Sequence, residues 1–192
     1  MTTSPRPAFD PLRYLAGFEA ADRYRGQRSL RLHLGPREVR LPGWIRVSQD
    51  PKVGDLDLDL RLALPFDDGS VDRIYAWELP DTLGEGLLAF VLEAARVLAP
   101  GGRLRLVGRD RAVAEAEVRR LALQGVLSLD RLKALPPWSA ADLVALLIKV
   151  GFSSVVQLPV DVSGEETFRG LESRHGLSGD DASRWFVIEA GR

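Results

Sequence analysis

The residues best suited to chemistry lie in one stretch, His33-Leu34-Gly35-Pro36-Arg37-Glu38-Val39-Arg40-Leu41-Pro42-Gly43-Trp44. It follows an alternating apolar run (Leu30, Leu32, Leu34) and precedes another strand-like run (Trp44, Ile45, Val47), so Gly35 falls just past the end of a strand. In a wound α/β protein a small-molecule cofactor sits there, outside the carboxyl ends of the strands. A nucleotide-cradling loop repeats its glycines so that backbone can approach the ligand; here Arg37 and Glu38 occupy the places of further glycines. Arg31, Arg37, Arg40 and Arg46 surround the loop. They read either as solvated surface or as an anion site, because guanidinium groups fork onto carboxylate and phosphate. In the second case Arg37 faces a ligand carboxylate, or takes its place by pairing with Glu38 or Asp59. Binding of another nucleotide or anion through these arginines is one function the stretch supports.

The other reactive residue types give less. Asp55, Asp57 and Asp59 alternate, but a calcium loop needs a turn glycine where Leu60 stands and a closing glutamate that is absent. His33 and His175 are the only histidines, and their spacing makes no metal site; they read as a partly covered strand residue and a surface residue. Ser48 and Ser70 have no histidine that sequence can assign to a hydrolase triad. Trp77 could stack on an adenine or fill the core. The chain has no cysteine, which excludes disulfides, thiolate zinc sites and cysteine nucleophiles.

The elements that must position these residues belong to one domain, since 192 residues supply a single full core. A net charge of -1 gives no reason to expect nucleic acid, and no apolar run approaches the ~20 residues of a membrane span. The N-terminus lacks a secretory pattern, so the expected location is the cytoplasm. Pro11 to Tyr24 reads as an amphipathic helix with Asp10 as N-cap, part of an N-terminal extension over residues 1–28 that covers the domain or a sheet edge. Strands are expected at Ser29–Leu34, Trp44–Ser48, Asp55–Leu62, Val71–Trp77, Arg103–Gly108, Phe152–Val160 and Trp185–Ala190. Helices are expected at Leu83–Leu98, with a stripe of Leu87, Leu88, Val91, Leu92, Ala95 and Leu98, at about Asp110–Gln124, and from Ser139 to Gly151, where Ser139 and Asp142 form an acidic capping box. Ser128–Trp138 is an insertion and Asp161–Ser183 a long polar excursion. Strands alternating with helices predict a wound, mostly parallel α/β sheet. Leu-Arg-Leu-His-Leu and Arg-Leu-Arg-Leu alternate, however, where buried parallel strands usually run apolar, so an antiparallel sheet with one wet face is the second reading.

Leu32-His33-Leu34-Gly35, Leu41-Pro42-Gly43-Trp44-Ile45-Arg46-Val47, Asp59 through Tyr75 with its Leu64-Pro65-Phe66 link, and Arg96-Val97-Leu98-Ala99-Pro100-Gly101-Gly102 resemble, in order and spacing, the class I S-adenosylmethionine-dependent methyltransferases. The likeness is to a small bacterial group with a leucine-glycine-cysteine-glycine and a glycine-tryptophan-isoleucine-asparagine-valine-aspartate motif. It implies a Rossmann-like, seven-stranded sheet whose last strand is antiparallel, and S-adenosylmethionine as cofactor. Carried over residue by residue, Gly35 and Arg37 lie in the first cofactor loop, Arg37 at the second glycine. Ser48 matches the acid that holds the ribose, with Asp50 as its substitute if the loop bends. Asp59 and Leu60 match the pair that meets the adenine, where Trp77 could stack. The segment Trp77-Glu78-Leu79-Pro80 replaces a histidine-bearing one. No catalytic base is implied, because alignment of a sulfonium methyl supplies much of the rate. The resemblance implies a methyltransferase with an unidentified small-molecule or protein acceptor. The rival is a pseudo-methyltransferase that lost its cofactor and serves as a scaffold beside a homologous partner.

Overall fold

The computed structural model describes residues 10–35, 38–48, 50, 52–177 and 179–192. Helix α1 (Pro11–Ala21) begins where Asp10 accepts hydrogen bonds from the amides of Leu12 and Arg13, and Pro11 needs no amide partner at the first turn. A short 3-10 turn extends it to Tyr24. Strands β1 (Leu30–Leu34), β2 (Ile45–Ser48), β3 (Leu56–Asp57) and β4 (Val71–Trp77) follow, then α2 (Leu79–Leu83), α3 (Leu87–Val97), β5 (Leu98–Arg109) and α4 (Arg111–Leu123). The chain ends with α5 (Ala140–Val150), β6 (Ser153–Leu158), α6 (Leu171–Arg174) and β7 (Trp185–Gly191).

The seven strands form one sheet in the order β3-β2-β1-β4-β5-β7-β6. Pairs β1/β2, β1/β4, β2/β3 and β4/β5 are parallel, while β7 runs antiparallel to both β5 and β6. This is the doubly wound sheet expected from the sequence, with its reversed last strand, and the antiparallel reading falls. Helix α1 covers the β3 edge: a Cβ on Gly17 would stand 2.3 Å from the Asp57 carbonyl, and Arg13 forks onto the Asp57 carboxylate at 2.6 Å.

One face of the sheet is conventional. Leu32, Leu34, Ile74, Leu104, Leu106 and Ile188 pack there against Leu87, Phe90 and Val91 of α3 and Leu143 and Leu147 of α5. Helix α5 starts on the predicted capping box of Ser139 with Asp142 and ends at Gly151 (φ 101°). The stripe of α3 differs from expectation. Leu88 and Leu92 are exposed, and Phe90, Ala94 and Val97 are buried with Leu87 and Val91. The segment Gly84–Gly86 is a 3-10 turn, and the regular helix begins at Leu87 rather than Leu83.

The opposite face explains the alternating strands. Residues 35–44 and 49–55, which join β1 to β2 and β2 to β3, contain no helix among the described residues. That face is covered instead by the excursion between β6 and β7, which seats Phe168, Leu171 and Leu177 on Tyr75, Trp77, Val107 and Val187. The excursion therefore carries core as well as polar residues. Its Glu172 is fully buried and holds the fully buried Arg105 of β5 at 2.9 and 2.8 Å, while Arg105 also pairs with Glu189 of β7 and donates to the Val162 carbonyl at 3.0 Å. Polar alternates in these strands are thus buried against one another, and parallel order survives without continuous apolar runs.

The predicted strand Asp55–Leu62 shrinks to Leu56–Asp57. Asp59 ends it by accepting the Arg61 amide at 3.0 Å, and Leu62 donates back to the Asp59 carbonyl. Leu56, Leu58 and Leu60 still enter the core. The three alternate aspartates each clamp an arginine: Asp55 holds Arg46, Asp57 holds Arg13 and Asp59 holds Arg61. Among the described residues no helix is long and apolar enough to cross a membrane.

Candidate functional site

Strand order reverses between β1 and β4, and a groove of about 430 Å3 opens at their carboxyl ends. Gly35, Glu38, Ser48, Asp50, Val53, Trp77, Glu78 and Thr82 line it. Gly35 takes a left-handed backbone (φ 66°), and a Cβ there would lie 2.3 Å from the Trp77 carbonyl oxygen. That angle and that contact require glycine, and its amide donates to the Val47 carbonyl at 3.2 Å, tying β1 to β2. The Arg37 position lies outside the described residues.

On the β2 side, Ser48 closes the strand and its Oγ accepts the Asp50 amide at 3.0 Å. The Asp50 carbonyl accepts the amides of Val53 and Gly54, and its Oδ1 accepts the Lys52 amide at 2.9 Å. These bonds bend the loop tightly, and Ser48 and Asp50 both line the groove. Gly54 has no room for a side chain, since a Cβ would stand 2.7 Å from the Leu56 carbonyl oxygen.

On the β4 side, Glu78 has a left-handed backbone (φ 52°) although it is not glycine. Its amide donates to the Val107 carbonyl at 2.9 Å, and its carbonyl accepts the Thr82 amide, so the surrounding structure fixes it in place. Such strain, of order 1–3 kcal/mol, persists where neighbours over-determine it and clusters at functional sites. Next to it, burial pushes the Asp81 carboxyl up despite the Arg109 guanidinium at 3.1 Å.

The remaining expected site residues lie elsewhere. Asp59 is committed to Arg61 through contacts of 2.8 and 2.5 Å, and Leu60 is core; neither lines the groove. Trp77 reaches the groove edge, but its ring stacks on His175 (centroids 4.2 Å apart) and on Trp185 (5.1 Å). His33 and His175 come together across the sheet face, Nε2 to Nε2 at 3.2 Å, and His33 is fully buried rather than partly covered. Burial foremost, then the charges of His175 and Arg46, lower the His33 pKa to about 3. Ser70 is buried and donates to the Asp67 carbonyl, a turn residue. Among the described residues no group of three or more His, Asp or Glu could hold a metal ion. Sequence reasoning missed Glu38, Val53, Glu78 and Thr82 as lining residues; an acid directly after the strand at the switch point was the available signal for Glu78.

Glu38, Asp50 and Glu78 place three carboxylates around the groove, and none of its described lining residues is a cation. Carboxylates accept from hydroxyls and attract positive charge. S-adenosylmethionine carries two ribose hydroxyls, an ammonium group and a sulfonium beside its one carboxylate, so its hydroxyls and cationic groups suit the residues present. The volume falls in the range of small-molecule sites, about 300–1,000 Å3.

No protein-family model matches the chain, and no curated protein matches it in sequence. Solved structures do match. An S-adenosylmethionine-dependent methyltransferase from Thermotoga maritima superimposes with a TM-score of 0.53 at 17% identity, covering 93% of this chain and 88% of that one. One from Archaeoglobus fulgidus gives 0.51 at 14% identity, with 94% of each chain covered. A methyltransferase complex with the Trm112 activator of Haloferax volcanii gives 0.52 at 17% identity, covering 98% of this chain and 99% of the matched one. At these identities the likeness is one of architecture, and it agrees with the strand order and the reversed β7: the chain has the Rossmann-like fold of the class I S-adenosylmethionine-dependent methyltransferases.

Proposed function

We propose that the chain is an S-adenosylmethionine-dependent methyltransferase whose cofactor lies in the groove at the ends of β1, β2 and β4. The observation that supports this most is the set of three carboxylates gathered at the strand-order switch point of a methyltransferase fold. The cofactor, when bound, supplies a methyl group already activated on sulfur. Asp50 would accept from the ribose hydroxyls with Ser48 beside it, the task an acid at the end of β2 performs in the family. Glu38 and Glu78 would balance the cationic end, and the fixed backbone of Glu78 keeps its carboxylate at the strand end. Gly35, Arg37 and the edge of Trp77 complete the assignment, while Asp59 and Leu60 serve the fold around it. No side chain need act as base, because alignment of acceptor and methyl carries most of the work.

The same reading takes residues 1–192 as one cytoplasmic domain with residues 1–28 as its N-terminal extension. A protein partner is compatible with it, by analogy with the Haloferax volcanii methyltransferase held by its Trm112 activator. Calorimetric titration of the full chain with S-adenosylmethionine and S-adenosylhomocysteine tests the proposal. Both should bind, and Asp50→Asn should weaken binding about tenfold, as loss of a charged acceptor does. Absence of heat at millimolar ligand, with the chain folded by circular dichroism, would overturn it and leave a scaffold role.

A further inference from the structure

Helix α4 has no buried residue, although it carries Val113, Val118 and Leu121 at helical spacing. In most domains such a stripe enters the core. Here the stripe faces a second groove of about 770 Å3, lined by Val113, Val118, Leu121, Leu135 and Pro136, with Arg109, Arg120 and Arg184 also in its lining and Glu117 the one acid among the described lining residues. The groove is built rather than incidental. Asp110 caps α4, the Arg111 amide donates to the Trp138 carbonyl at 3.0 Å, and the Arg111 side chain reaches the Pro136 carbonyl, tying helix to insertion. The Asp110 amide donates to the Arg184 carbonyl at 2.9 Å, which holds Arg184 at the groove wall.

The three arginines differ in how free they are. Arg109 is bound to the buried Asp81, and Arg120 forks onto Glu117 at 3.0 and 2.9 Å. Arg184 meets Asp181 only at 3.7 Å, with both side chains largely exposed. An exposed contact of that length contributes little and yields readily to an incoming anion. One contact links the two grooves: Arg109, which lines this one, is held by Asp81, the sequence neighbour of Thr82 in the other.

We infer that this second groove binds an amphipathic anion, an elongated apolar molecule bearing a carboxylate or phosphate, with the anionic group on Arg184 and the apolar body along α4. Resting on the methyltransferase reading, that molecule is the methyl acceptor. Charge and shape both favour it: the lining is apolar along one helix, and Arg184 is the one of its three arginines least committed to a carboxylate.

Fluorescence of Trp138 and Trp185, which neighbour Pro136 and Arg184 in sequence, reports binding without any cofactor. The probes are decyl phosphate, decanoate and uncharged decan-1-ol, each below its micellar concentration, titrated into the full chain. The anions should bind at least about tenfold tighter than the alcohol, and the tighter of the two identifies the head group. Arg184→Gln should bring the anions to the level of the alcohol, and Leu121→Glu should abolish all three. Circular dichroism melts of both variants should match the parent, because neither residue is buried. Equal binding of anion and alcohol, or an Arg184→Gln chain that keeps its preference, would overturn the inference. So would a parent chain that is dimeric by light scattering and becomes monomeric with Leu121→Glu, since a second copy would then fill the groove. S-adenosylmethionine titrations separate the two claims: anion binding without cofactor binding would sink the acceptor assignment and keep the groove.

Discussion

Acidification should expose the buried imidazole of His33. The side chain has no exposed surface, its Nε2 lies 3.2 Å from that of His175, and Arg46 adds positive charge nearby. Together these lower its pKa from 6.5 to about 3, burial being the largest cause. The folded chain therefore keeps His33 neutral until about pH 3, whereas the unfolded chain protonates it below about pH 6.5. The unfolded state takes up the extra proton, so stability falls as pH drops through that window, by up to ~1.4 kcal/mol per unit. Between pH 7 and pH 5 the loss from this one group comes to about 2 kcal/mol. Urea denaturation at pH 7, 6 and 5 of the parent and of His33→Gln measures it. Glutamine cannot titrate in this range but still offers His175 a hydrogen-bonding group. Carboxylates held low by arginine, such as Asp55 and Glu93, lose their contribution in both chains alike. The parent should therefore fall about 2 kcal/mol further than the variant. Parallel pH curves for the two chains would refute the reasoning.

Arg105→Met leaves Glu172 and Glu189 facing each other in the core and should cost about 3–5 kcal/mol, read from the urea midpoint. Gly35→Ala must adopt a left-handed φ and displace the Trp77 carbonyl; a loss of about 1–3 kcal/mol or more is expected, visible as a lowered melting temperature. Ser139→Ala removes the cap of α5 and should cost about 1 kcal/mol by denaturation, with no change in cofactor titration.

Much of this architecture was legible where local chemistry decides structure. Strand β4 spans Val71–Trp77 as expected, and Asp10 and Ser139 cap their helices as their residue types require. Local reading failed where a single side chain changed the backbone. Asp59 cut a strand short by taking the Arg61 amide, and the Gly84–Gly86 turn moved the start of α3 to Leu87. The covered second face was beyond local pattern altogether, because Arg105 finds Glu172 at a separation of 67 residues. A charged residue in a strand says "solvent" until a distant carboxylate is brought to it. At the site, the glycine and the strand ends were readable, and an acid directly after β4 marked the Glu78 position, but no residue preference announces its left-handed backbone angle.

The cover of that second face has a temporal side. Strands β1, β2, β4 and β5 are synthesised before residues 161–177, yet His33, Tyr75, Trp77 and Arg105 are sheltered only when Phe168, Leu171 and Glu172 arrive. A nascent chain on the ribosome must therefore display an aromatic, charged sheet face until residues 161–177 emerge. Pairing across such separations forms slowly, and exposed surface of this kind invites aggregation. The protein should depend on chaperones during synthesis, and deletion of residues 161–177 should unseat the oldest strands of the sheet before the youngest.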